Sequence, residues 1–90
     1  MLPEKDIYIQ NMILEKIEAN SRYKKKMLKV ERAISKLYSL VREPGVSDDM
    51  LELQLLSAIT RVLMDVIEID DMDFATEIRQ MVSDFESAHP

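Results

Sequence analysis

The sequence predicts an all-α fold, a three- to four-helix antiparallel bundle in a single domain spanning residues 1–90. Three observations carry this. One Gly and three Pro in 90 residues leave little to interrupt a helix. Apolar residues recur at three- and four-residue intervals through most of the chain. Acidic residues cluster where those periodic segments begin, and negative charge is favourable at the positive end of a helix. A hydrophobic content of 47% with 32% charged residues is that of a globular chain.

The first helix is predicted over about 4–19. Pro3 suits a first turn, where its missing N–H is not needed, and Glu4 and Asp6 follow it. The second is predicted over about 22–42. Tyr23, Met27, Val30, Ile34, Leu37 and Val41 are spaced 4-3-4-3-4 and form one narrow apolar stripe. Between these two helices the apolar phase changes, with Ile7, Leu14 and Ile17 on a different face, which places a break with Ser21 as the new N-cap. Ile9, Met12 and Ile13 nevertheless stay nearly in phase with the second stripe. The alternative is therefore a single long N-terminal helix over 4–42, about 58 Å at ~1.5 Å per residue.

Glu43-Pro44-Gly45 ends this segment. The residue before Pro is pushed out of helical geometry and Gly accepts a turn. Ser47 caps a third helix over about 48–69, with Asp48, Asp49 and Glu52 in its first turn. The fourth helix, 71–88, starts among Asp70, Asp71 and Asp73 and carries Phe74, Ile78, Met81 and Phe85 on one face. The short 42–48 connection predicts that the second and third helices are antiparallel neighbours.

The third helix is too apolar for an ordinary surface helix. Thirteen of the twenty-two residues over 48–69 are apolar. They cover roughly 240° of the circumference at ~100° per residue, whereas a surface helix needs an arc of little more than ~100°. Either this helix is central, or a homodimer buries the surplus. Small helical domains often complete a core by oligomerising. Leu51, Leu55, Leu56, Ile59, Val62, Leu63, Val66 and Ile67 are the expected oligomer or partner interface. Methionines at 12, 27, 50, 64, 72 and 81 either fill the core or line an adaptable groove.

Charge is sorted along the chain. Residues 21–42 carry a balance of +7 and residues 43–90 one of −10, within a total of −5. The positive part resolves into a line, Arg22, Lys25, Lys29, Arg32 and Lys36, spaced 3-4-3-4 opposite the apolar stripe. Such a row is either a solvated helix face, a binding line for an acidic protein, or a track for a phosphate backbone. Few side chains beside it would read bases by hydrogen bonding or stacking. The acidic side chains from Asp65 to Asp84 would in turn suit a basic target.

Little in the sequence points to catalysis. Cys is absent, which removes thiolate chemistry and fits a reducing compartment. The single His, His89, lies near the end of the chain. One Gly leaves no phosphate-cradling loop. An EF-hand begun at Asp71 would need Gly and Glu where Thr76 and Val82 stand. One remote enzymatic alternative remains. Glu15 with Glu18, and Glu68 with Asp71, are carboxylate pairs three residues apart. Two facing pairs hold Mg²⁺ in some all-helical nucleotide pyrophosphatases.

The N-terminal residues form no secretory signal, and charges interrupt each apolar stretch before the ~18 residues of a membrane span. The expectation is a cytoplasmic, non-catalytic, self-associating protein that acts by protein–protein interaction. It would serve as a regulator, inhibitor, adaptor or assembly subunit, without cofactor, metal or membrane. A nucleic-acid binder using the basic line is the alternative.

Overall fold

The computed structural model describes residues 4–41 and 44–89. It contains four helices, α1 (Glu4–Glu18), α2 (Lys24–Val41), α3 (Asp48–Asp70) and α4 (Met72–Ala88), and no strand among the described residues. Pro3, Arg42 and Glu43, to which helix boundaries were assigned from the sequence, lie outside the described residues. Among the described residues, no helix is long and apolar enough to cross a membrane.

The continuous 4–42 helix is overturned. α1 ends at Glu18, and residues 19–23 form a turn. The side chain that closes this turn is Asn20, not Ser21: Asn20 Oδ1 accepts from the Arg22 N–H at 3.0 Å. The Asn20 carbonyl accepts from Tyr23 and Lys24 N–H groups at 3.0 and 3.1 Å. A short amide side chain competes well for nearby backbone donors, which is why Asn interrupts helices without Gly or Pro.

The other junctions follow local rules. Gly45 adopts φ +89°, the left-handed region that Gly enters without a Cβ penalty. Ser47 Oγ then accepts from Met50 N–H at 3.2 Å, as an N-cap does. Asp71 alone separates α3 from α4 and serves both. Its N–H donates to the Ile67 carbonyl at 2.7 Å, and its Oδ1 accepts from Phe74 N–H at 3.1 Å.

α1 runs antiparallel to α4. Lys5 Nζ donates to the His89 carbonyl at 2.6 Å, Tyr8 stacks on Phe85 at 5.0 Å, and Lys16 meets Glu77 at 2.9 Å. α2 runs antiparallel to α3, with Tyr23 at Asp70 and Tyr38 beside Leu53 and Gln54. α3 packs on the other three helices, whereas α2 packs on α1 and α3 and does not approach α4. α3 is therefore the central helix, one of the two ways to cover its wide apolar arc.

The core forms where the four elements converge. Ile17, Tyr23, Leu63, Ile67 and Ile78 are its largest fully buried side chains. Ile13, Leu14, Met27, Ile59, Phe74 and Ala75 complete it. Full burial of a side chain of Leu or Ile size contributes roughly 1.5–3 kcal/mol. The Tyr23 ring stacks on Phe74 at 5.6 Å, which ties the α1–α2 turn to the start of α4. Met27 lies in this core with Met64 and Met81 packed against it, while Met50 and Met72 are exposed.

Candidate interaction surfaces

α2 presents its charged side outward because its apolar stripe is held inside. Met27 is buried, and Val30 and Ile34 pack against the core. Lys25, Lys29, Arg32 and Lys36 are exposed, as the sequence pattern requires. None of these four side chains has an ion-pair or hydrogen-bond partner among the described residues.

Arg22, the fifth predicted member, is drawn out of the line. It belongs to the turn before α2, and its guanidinium is 3.0 Å from Asp70 Oδ2 and 3.8 Å from Asp71 Oδ2. It also lies 5.5 Å from the centre of the Tyr23 ring. The carboxylates at the end of α3 thus recruit it into a contact within the chain.

Sequence reasoning missed one part of this face. Leu40 follows Lys36 by four residues and continues the same line, with Leu37 beside it. Leu40 is 76% exposed, and Leu37 and Val41 are also exposed. The signal was available in the spacing, but Leu37 and Val41 had been assigned to the inward stripe. The last turn of α2 therefore has three apolar side chains that the bundle leaves uncovered.

The acids behave differently from the α2 cations. Glu68 pairs with Arg79, Asp70 and Asp71 with Arg22, Glu77 with Lys16, and Asp84 accepts from Gln80 at 2.9 Å. Much of the acidic half therefore ties helices to one another, at the modest worth of exposed pairs, about 0–1 kcal/mol each.

The predicted apolar interface on α3 divides in two. Ile59, Leu63 and Ile67 are buried in the chain's own core and Leu56 packs against it. They face the other helices rather than a partner. Leu51, Leu55 and Val66 remain half-buried, and Val62 is 41% exposed. Ile69 continues this outer row and is 90% exposed.

One groove carries several polar side chains beside Leu53 and Ala58. Gln10, Tyr38, Ser57, Thr60 and Arg61 border it between α1, α2 and α3. Gln10 Oε1 and Thr60 Oγ1 are buried there without a hydrogen-bond partner among the described residues.

The carboxylates of the enzymatic alternative do not converge. Glu68 and Asp71 are engaged by Arg79 and by the α4 cap, while Glu15 and Glu18 point to solvent. No group of three or more His, Asp or Glu side chains among the described residues could hold a metal ion. His89 closes α4. Its N–H donates to the Phe85 carbonyl at 3.0 Å, and its ring stacks on Phe85 at 4.2 Å. No protein family matches the chain, and no curated protein or solved structure matches it.

Proposed function

We propose that this protein is a non-catalytic helical interaction module that binds a protein partner and also self-associates. It would serve as a regulator, inhibitor, adaptor or assembly subunit. The carrying observation is the outward face of α2, Lys25–Lys29–Arg32–Lys36–Leu40. Four cations without partners among the described residues run into an exposed apolar end. Exposed apolar side chains grouped beside charge mark interaction sites more often than isolated ones do. An acidic helix or segment with an apolar anchor at one end has matching chemistry, since complementary charge speeds encounter and fixes register.

The test is capture of partners on the full chain, from lysate of the organism that encodes it, with identification by mass spectrometry. Wild type is compared with a Lys29→Glu, Arg32→Glu, Leu40→Lys variant, whose three positions are exposed. The expected result is a protein enriched by wild type and lost by the variant, with unchanged helix content. No enrichment by wild type, or an identical set on both, would sink this reading.

A second reading, nucleic-acid binding, is favoured by the same four cations. It predicts that log K falls by ~0.9 for each phosphate contacted on duplex DNA as log salt rises. Absence of binding to duplex DNA and to single-stranded RNA at low salt would dispose of it.

A further inference from the structure

We infer that the outer ridge of α3 is a self-complementary interface, on which a second copy of this chain packs with its own α3 antiparallel. This rests on the interaction-module reading and names the partner for one of its surfaces.

The ridge consists of Leu51, Leu55, Val62, Val66 and Ile69. At ~100° per residue these five positions fall within about 60° of the helix circumference. They extend over about 27 Å at ~1.5 Å per residue. Ile69 at 90% and Val62 at 41% are exposed, and the other three are half-buried, so the chain leaves the row only partly covered.

The pattern repeats itself when reversed. With a two-fold axis at Val62, Leu55 meets the partner's Ile69, Ala58 meets the partner's Val66, and Val62 meets its own equivalent. Large side chains thus face each other at the ends, and a small one faces Val between them. A two-fold interface needs this kind of self-matching patch.

Charge supplies an independent argument. Arg61 and Asp65 lie on one flank of the ridge, both exposed and both without a partner among the described residues. They are four residues apart in the order basic-then-acidic, the weaker orientation for a pair within one helix. In an antiparallel two-fold arrangement, residues on one flank meet the same flank of the other copy. Arg61 then faces the partner's Asp65, and Asp65 faces the partner's Arg61. This pairing centres on Leu63, one residue or ~1.5 Å from the axis the ridge requires. At the ridge's register Arg61 and the partner's Asp65 are thus offset by about 3 Å along the helix, a gap that the long Arg side chain spans.

The test is sedimentation equilibrium of the full recombinant chain over a concentration series. Wild type is expected to approach twice the 10.5 kDa chain mass as concentration rises. Val62→Glu and Ile69→Glu should leave a monomer with unchanged helix content, since both positions are exposed. Arg61→Asp and Asp65→Arg should each weaken the dimer about ten-fold or more, by setting like charges opposite each other twice. The double variant Arg61→Asp/Asp65→Arg should recover most of the loss. That recovery separates a register contact from a folding defect.

A wild-type chain that stays at its monomer mass into the hundred-micromolar range would overturn the inference. So would a dimer indifferent to Val62→Glu and to both charge reversals. A monomeric wild type would also remove the self-association proposed above, but neither result touches partner capture through α2, which fails only on its own test.

Discussion

Tyr23 donates its phenolic hydrogen to Oδ2 of Asp70 at 2.9 Å, joining residues 47 positions apart. The same oxygen lies 3.0 Å from the Arg22 guanidinium. One carboxylate at the end of α3 thus holds two consecutive residues of the α1–α2 turn. Removing only the hydroxyl isolates this contact. Tyr23→Phe keeps the ring on Phe74 and loses the hydrogen bond. The expected loss of stability is about 1 kcal/mol, near the centre for a single bond, because Arg22 still satisfies the carboxylate. Urea unfolding followed by circular dichroism measures it. A variant as stable as wild type would mean that the bond contributes nothing net.

The same environment predicts behaviour in alkali. Burial raises the Tyr23 pKa above its ordinary 10.0. Donation to Asp70 raises it further, as do the charges of Asp70 and Asp71, while Arg22 opposes them. A raised folded-state pKa means that the folded protein holds the proton to higher pH than the unfolded chain. The Tyr23 contribution is therefore complete below pH 10 and is lost as pH climbs through the raised value. A difference titration, wild type minus Tyr23→Phe by phenolate absorbance, should place the midpoint above 10. A midpoint at or below 10 would contradict the buried, hydrogen-bonded hydroxyl.

What could be read in advance depended on how local each signal was. Ser47 and Asp71 bond backbone groups three residues away, so α3 and α4 start within a residue of their predicted positions. The α1–α2 break was only half legible. Asn20 makes the turn by a bond two residues long, but Ile9, Met12 and Ile13 kept a competing helical phase. The fate of Arg22 was hidden because its partners lie 48 and 49 residues away. Periodicity gave the outward line of Lys25, Lys29, Arg32 and Lys36 but could not divide α3. A wide apolar arc states how much surface must be covered; neighbours decide which part. Ile67 turned inward and Ile69 outward for that reason.

That division gives a sharp contrast. Ile67 is 0% exposed and Ile69, two residues on, is 90% exposed. Ile67→Ala removes buried methyl and methylene groups from the core and should cost about 2–5 kcal/mol. Ile69→Ala should change monomer stability by no more than about 0.5 kcal/mol, since Ala is the better helix former and nothing is uncovered. Both are measured by denaturant midpoints at concentrations where the chain is monomeric. Equal losses at the two sites would show that α3 is rotated from its described orientation.

Thr60 offers a gain instead of a loss. The residue is 6% exposed, and its hydroxyl has no hydrogen-bond partner among the described residues. An unsatisfied buried polar group costs about 1–3 kcal/mol. Thr60→Val replaces it with a methyl of nearly the same shape and leaves helix propensity almost unchanged. The expected result is stabilisation by about 1 kcal/mol in thermal or urea unfolding. A loss of that size would mean that the hydroxyl is bonded after all.

α2 should be the most easily opened helix of the bundle. Within it Met27 alone is buried, and it has no packing with α4. Its last turn holds the exposed Leu37, Leu40 and Val41. α3 by contrast contributes Ile59, Leu63 and Ile67 to the core and touches every other helix. Regions with few buried apolar contacts open at lower free energy than the global transition. Native-state hydrogen exchange should therefore show α2 amides, above all those of residues 36–41, exchanging before the α3 amides of residues 59–67. The face with unpartnered cations would then lie on the least anchored helix. A partner that binds it would be expected to slow α2 exchange more than that of any other element. Uniform protection across α2 and α3 in the free protein would show that α2 is held by contacts beyond those of its apolar stripe.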